Sequence, residues 1–374
     1  MFVTSEAELG LNFLKTLPAA HNDSLVFSPI SIALVLSIVH AGAKGNSKKQ
    51  IEDTLLNKAS CNNCEFISHF SSIEKKLRKK LKNGVAVNMA NKLYLKNGST
   101  AQRQFLTAVG QNYGAEVRSV DFRKLDSIDK INGFVKTKTK GIVEKIINTR
   151  DSVENANGLL INAMAFSGAW EEGFDESPTL MSFNRNEKPS MSFLNRKMQS
   201  DASARGYATD DVFQVLSLKY ADPRFEYTVF LPNKRFGLNE ALKKLDRRRF
   251  ENLMKSRRPT YLYSEMPVFK IETRLSLKQT LKAIGITEIF SDFADLSGIA
   301  DNAKISEGIH KSIFEVNEIG TFADLRDRNV KLRNRAAPPT EFTANHPFLF
   351  ATTFLNHTIY LGIYRGIGET VYGK

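Results

Sequence analysis

The chain has 374 residues, 42% of them hydrophobic, with a formal net charge of +13 and two cysteines. That is ordinary for a soluble globule long enough for one large domain or two, and its positive charge favours acidic partners such as polysaccharide, nucleic acid or anionic lipid. The cysteine pair Cys61-x-x-Cys64 lacks the second pair of a cysteine-built zinc site and reads as free thiols on a loop, which suits a reducing compartment.

In chain order, the N-terminal stretch MFVTSEAELGLNFL has no basic start and no apolar core ahead of a cleavage site, so no secretory signal is expected. Leu9, Phe13 and Leu17 are spaced for an amphipathic helix over 5–17. Ser28 before Pro29 is a helix start, and the apolar run behind it is too uniform for a surface helix. That run, Ile30 to Val39, is also too short to cross a bilayer. Gly42 and Gly45 end it, and Ser47 begins another helix. Residues 66–82 carry the best helical signal, with Phe66, Phe70, Ile73, Leu77 and Leu81 on one face. Lys75, Arg78, Lys79 and Lys82 fall on the opposite face, where a row of like charges gains from a polyanion. The plainer reading is a solvated basic face.

Further on, VAVNMANKLYLKNG alternates before an Asn-Gly turn signal, and residues 128–147 read as a helix. GLLINAMAFSGAWEEGF reads as a central strand followed by a turn, carrying the sole tryptophan, Trp170. Strand-like runs fill 180–232, and helical spacing returns at Leu238, Leu242, Leu245 and Phe250. The sequons at Asn22, Asn97 and Asn356 are expected to be chance. The histidines at 21, 40, 69, 310, 346 and 357 show no metal-ligand spacing. The chain has no G-x-S-x-G elbow, Walker loop, HExxH or Rossmann glycine pattern, so neither an enzyme nor a cofactor is expected.

Late in the chain, an apolar, β-branched stretch through Val316 and a second strand from HPFLF enclose a polar run, Asn317 to Thr340. That run carries Arg326, Arg328, Lys331, Arg333 and Arg335, has no helical stripe and is closed by Pro338 and Pro339. A loop of that length inside a compact domain is usually functional or disordered. Anchored at both ends, it reads as an exposed bait.

HKSIFEVNEIGT (310–321) and FTANHPFLF (342–350) resemble the two signatures that bracket the reactive-centre loop of serpins. FSPIS with GAKG, the segment INGFVKTKTKGIVEKII and the strand around Trp170 are similar to further segments of that family. Phe134 stands where its members usually have tryptophan, Ser24 where asparagine is common, and Ile142-Val143 replaces a lysine-isoleucine pair. The resemblance covers nearly the whole chain. It implies an α+β serpin fold, with a large central β-sheet, additional sheets, surrounding helices and an exposed reactive loop at about 317–341, in a single domain over 1–374. It implies a monomer of the signal-less, ovalbumin-like type, more often cytoplasmic, although some members are exported without a cleaved signal.

By the same resemblance, Ser28, Ser31, Asn162 and His310 match a shutter whose network governs sheet opening. Trp170 matches the breach where the loop begins to insert, and Glu318, Gly320, Thr321 and Ala323 match the hinge. The basic helix corresponds in order to the one that carries a heparin site in some members. The partner implied is a serine protease, or else a cysteine protease, that cleaves the loop and is trapped when the loop enters the sheet. Family spacing places the cut at Asn334–Arg335, and a one-residue slip puts Arg333 or Arg335 before it, the latter cutting ahead of Ala336. An asparagine there suits an asparagine-specific cysteine protease. Arginine suits a trypsin-like enzyme with an acidic pocket.

The loop also contains a difficulty. If Thr321 points inward, strand parity turns Ala323, Leu325, Asp327 and Lys331 inward as well. Asp327 and Lys331 lie too far apart to pair, and an unpaired buried ion costs several kcal/mol. On that count insertion stalls near Asp327, leaving a cleaved substrate, and a non-inhibitory carrier or interaction protein is the competing reading.

Overall fold

The computed structural model describes residues 5–17, 23–56, 63–79, 81–184, 192–321 and 340–366. The first half runs α1 (Ser5–Thr16), β1 (Leu25–Phe27), α2 (Pro29–His40), α3 (Gly45–Leu55), α4 (Asn63–Arg78), β2 (Ala86–Lys96), α5 (Arg103–Tyr113), β3 (Glu116–Val120), α6 (Leu125–Lys138) and β4 (Gly158–Ala169). Then come β5 (Asp175–Asn184), β6 (Ser192–Thr209), β7 (Phe213–Lys219), β8 (Phe225–Pro232), α7 (Leu238–Lys244), α8 (Arg247–Ser256), β9 (Arg258–Pro267), β10 (Phe269–Ser276) and α9 (Leu277–Ala283). The chain closes with β11 (Glu307–Val316), β12 (Gly320–Thr321), β13 (Thr340–Thr343), β14 (Phe348–Phe354) and β15 (His357–Tyr364).

Among the described residues the strands form two sheets. One has six strands in the order β10-β11-β12-β4-β2-β3, and the other has nine, running β1-β15-β14-β8-β7-β6-β9-β13 with β5 on β6. Helix α2 is buried along its whole length, as its unbroken apolar sequence requires. The Ser28 hydroxyl caps it by accepting from the Ser31 amide, with Pro29 in the first turn, where its missing N–H costs nothing. Side chains alternate along β4: Leu160, Met164 and Phe166 enter the main core with α2. Leu159, Ile161 and Ala163 face a second cluster that includes Ile131 and Val135 of α6. The six-stranded sheet is therefore covered on both faces.

Two local expectations are corrected. The 128–147 helix is α6, which ends at Lys138. Lys140 and Gly141 take left-handed backbone, and the Gly141 amide reaches back to the Lys136 carbonyl, a chain reversal that stops the helix. Ile146 and Ile147 are then held by their amides on the Asn132 side-chain oxygen. Helix α3 starts at Gly45 after Lys44, and the Ser47 hydroxyl serves Glu288 and the Asp295 amide instead of capping. The last hairpin turns on Leu355-Asn356, both at positive φ, the mark of a two-residue mirror-type turn. No helix among the described residues is long and apolar enough to cross a membrane.

Candidate functional site: the seam between β4 and β11

Strands β4 and β11 pair in parallel from Glu307↔Leu159 to Ser312↔Met164. Above Met164 they part, and the short strand β12 occupies the gap. Gly320 pairs antiparallel with Ala169, and Thr321 pairs with Gly168 on one side and Val316 on the other. The start of the polar loop is thus already a strand of this sheet.

The residues that hold β12 are specific. Asn317 folds the chain back on itself: its side-chain oxygen accepts from the Ile319 and Gly320 amides, and its own amide donates to the Gly320 carbonyl. The Trp170 indole donates to the Asn317 carbonyl at 3.0 Å, and the Trp170 and Phe174 amides donate to the Ile319 and Glu318 carbonyls. Trp170 is fully buried and stacks on Tyr220 at 4.7 Å between ring centroids. The Tyr220 hydroxyl shares a 2.8 Å hydrogen bond with the Thr321 hydroxyl, and Thr321 itself is fully buried. Glycine is required at 320: a Cβ there would stand 2.1 Å from the Gly168 carbonyl oxygen.

Lower in the seam, the structure brings Ser28, Ser31, Asn162 and His310 together. His310 Nε2 accepts from the Ser28 amide at 3.1 Å and meets the Ser312 hydroxyl at 2.8 Å. Its Nδ1 therefore carries the proton and donates to the Asn162 side-chain oxygen. The Asn162 amide nitrogen reaches the Ser31 carbonyl (2.9 Å), the Ser31 hydroxyl (2.7 Å) and the Asn91 oxygen (2.6 Å). The Ser28 hydroxyl accepts from the Ser31 amide and lies 2.8 Å from Met164 sulfur. One network thus ties α2 to β2, β4 and β11. Complete burial pushes the His310 pKa down to about 3, so the ring is neutral at pH 7.

Sequence reading missed Asn91, Ser312 and Tyr220. Ser312 was within reach of it, since a residue two positions from His310 on a strand shares its face. Ala323, Arg333, Asn334, Arg335 and Ala336 lie outside the described residues, as does Cys61. The described structure brackets the loop more tightly than 317–341, with β12 ending at Thr321 and β13 starting at Thr340 on a parallel pairing with β9.

The basic helix also departs from expectation. Helix α4 ends at Arg78, so Lys79 and Lys82 are not on its face. Behind it the chain turns through Asn83 and Gly84, both at positive φ, and the Lys82 amide donates to Asp222. Arg78 is pulled back by Glu74 and by the Tyr113 and Gly114 carbonyls at the end of α5. Lys75, Lys76, Lys79 and Lys82 remain exposed around that end of the helix.

Comparison with known proteins accounts for this arrangement. Residues 4–361 match the family model described as serpin (serine protease inhibitor). "Serine protease inhibitor 42Dd" of Drosophila melanogaster is 31% identical over 369 residues, spanning 96% of both chains. "Leukocyte elastase inhibitor" of Xenopus laevis is 31% identical over 337 residues, 87% of this chain and 88% of that protein. Among solved structures, uncleaved ovalbumin superimposes with a TM-score of 0.86 at 23% identity, over 98% of this chain and 100% of the other. A strand order that opens between β4 and β11 to admit the head of the loop, together with a family match over almost the whole length, makes this chain a member of the serpin family of serine protease inhibitors.

Proposed function

We propose that the protein inhibits a trypsin-like serine protease by offering Arg333 to Arg335 as bait and inserting the cleaved loop between β4 and β11. The observation that carries this reading is the seating of Gly320 and Thr321 in that gap, paired on both sides. Strand addition of this kind is the recognised mode for serpin reactive loops: backbone hydrogen bonds supply affinity, and alternate side chains are buried. In this reading Trp170 marks the point of entry, and the network of Ser28, Ser31, Asn162 and His310 holds the seam closed until the strand arrives. The non-inhibitory alternative draws its support from the charged residues after the hinge.

The observed register changes the weight of that objection. Continuing the pairs Thr321↔Gly168 and Thr321↔Val316 down the sheet brings Ala323 opposite Phe166 and Leu325 opposite Met164. Asp327 then arrives opposite Asn162 on one side and His310 on the other. Both of these neighbours are polar, unlike Phe166 and Met164. A protonated carboxyl there accepts at its carbonyl oxygen the bond that His310 Nδ1 now gives to Asn162, and its O–H donates to the Asn162 side-chain oxygen. Lys331 comes opposite Gly158, at the end of β4 beside exposed Asn157, where its ammonium reaches solvent. Insertion need not stall at Asp327.

Burial raises the pKa of a carboxyl, so seating Asp327 takes up a proton, and a step that takes up protons is favoured as pH falls. With the Asp327→Asn variant no proton is needed. The trapped fraction with trypsin is therefore expected to be higher for Asp327→Asn than for the wild type at about pH 8 and to converge by about pH 6. The protease's own pH dependence cancels in the ratio. A ratio that does not vary with pH would remove Asp327 from the seam.

For the exposed lysines we propose a subsidiary polyanion site. Changing Lys75, Lys76, Lys79 and Lys82 to glutamine is expected to weaken heparin binding and flatten its salt dependence, as loss of counterion release requires. An unchanged salt slope in an affinity titration would leave these lysines as a solvated face.

A further inference from the structure

The largest unexplained feature outside the seam is a buried polar cluster where α1, α4 and the β14–β15 hairpin meet. Glu6, on α1, is fully buried. One of its oxygens lies 3.3 Å from His69 Nε2, on α4, and 3.5 Å from His357 Nδ1, at the start of β15. The other oxygen is buried with no hydrogen-bond partner, and His357 Nδ1 likewise makes no hydrogen bond. All three potential ligand atoms lie within 4.8 Å of one another.

A buried carboxylate with one oxygen unsatisfied is costly, and native proteins rarely leave one so. Two imidazoles and a carboxylate are a common ligand set for zinc, with bonds of about 2.0–2.2 Å. Those bonds put neighbouring tetrahedral ligands roughly 3.3 Å apart, which is close to both observed carboxylate-to-imidazole distances. His69 is 13% exposed at its side chain, against 8% for His357 and 0% for Glu6. We propose that Glu6, His69 and His357 form a binding site for a zinc-class divalent transition-metal ion. The ion would join the first helix, the helix that ends at Arg78 and the last hairpin.

The test uses the full chain with Cys61→Ser and Cys64→Ser, which removes the thiols as competing ligands. After dialysis against a chelator, zinc chloride is titrated by calorimetry, and cobalt(II) is followed by visible absorption. The expected result is one ion per chain, a cobalt spectrum of tetrahedral strength without a thiolate band, and a melting temperature raised by zinc. His69→Ala, at the most exposed ligand, is expected to lower affinity at least about tenfold and to abolish the rise in melting temperature that zinc gives the parent. His357→Gln gives a second, independent loss. No saturable binding in the thiol-free protein, or binding that neither substitution weakens, would overturn the site and leave the cluster as a hydrogen-bonded core triad.

Discussion

Gly320→Val is expected to turn the inhibitor into a substrate. The glycine lies against the backbone of β4, and even a single Cβ would stand 2.1 Å from the Gly168 carbonyl oxygen and 2.8 Å from Ala169 Cα. Neither is the far end of a flexible side chain, so the hinge must back out of the gap. Overpacking of this kind costs about 1–3 kcal/mol, and each 1.4 kcal/mol added to the insertion barrier slows it about tenfold. Hydrolysis of the acyl-enzyme is untouched, so the partition shifts toward release. With trypsin, the ratio of trapped to released enzyme should fall by about fivefold to a hundredfold while the rate of loop cleavage is unchanged. Thr321→Arg should act alike, because Thr321 is fully buried and bonded to Tyr220. Trapping by Gly320→Val at the wild-type ratio would mean that the seated hinge plays no part in insertion.

Acid should loosen the seam before it unfolds the rest. His310 has a pKa near 3 in the fold because of burial, against about 6.5 in an unfolded chain. A depressed histidine contributes stability that is complete above the unfolded value and is lost as pH falls from there toward the folded one. Its share of the loss is about 1.4 kcal/mol per pH unit below 6.5. His40 and His346 are also pushed down, chiefly by burial, and add to the slope. The difference between wild type and His310→Gln isolates the one residue. At neutral pH the variant should be less stable by about 1–3 kcal/mol, the range for breaking buried hydrogen bonds. Between about pH 6.5 and 5 its stability should fall less steeply than the wild type's. Parallel curves in denaturant melts would show that His310 is not neutral and buried in the working fold.

The parts of this molecule written in local pattern were legible, and those made by long-range meetings were not. The start of α2 could be read from Ser28-Pro29, and its burial from an apolar run with no polar face. The flanks of the loop could be read because strand-forming residues end at Val316 and resume beyond Pro339, but the short strand at Gly320–Thr321 could not. Helix ends were misread where apolar spacing continues past a backbone reversal. Ile142 and Ile146 keep a helical period, yet Lys140 and Gly141 turn the chain, and Asn132 holds the segment in place. The cation row on α4 continued in sequence through Lys82, but like charges without acidic partners do not sustain a helix, and Arg78 found carbonyls on α5.

Register was the largest omission. From the loop alone, Asp327 is an isolated buried charge. Given the pairs at Thr321, it falls in line with Asn162 and His310. Asn91, Tyr220 and the Glu6, His69 and His357 cluster carry no motif, since each depends on segments that meet only in the folded chain.

The most direct test of the inserting trap is a denaturing gel of the protein incubated with trypsin, with the clipped product melted alongside the intact chain. An inhibitory serpin gives a band larger than either protein that survives boiling, together with a cleaved chain that melts well above the intact one. A clipped chain alone, melting no higher than intact protein, would contradict insertion and leave a serpin that binds or carries.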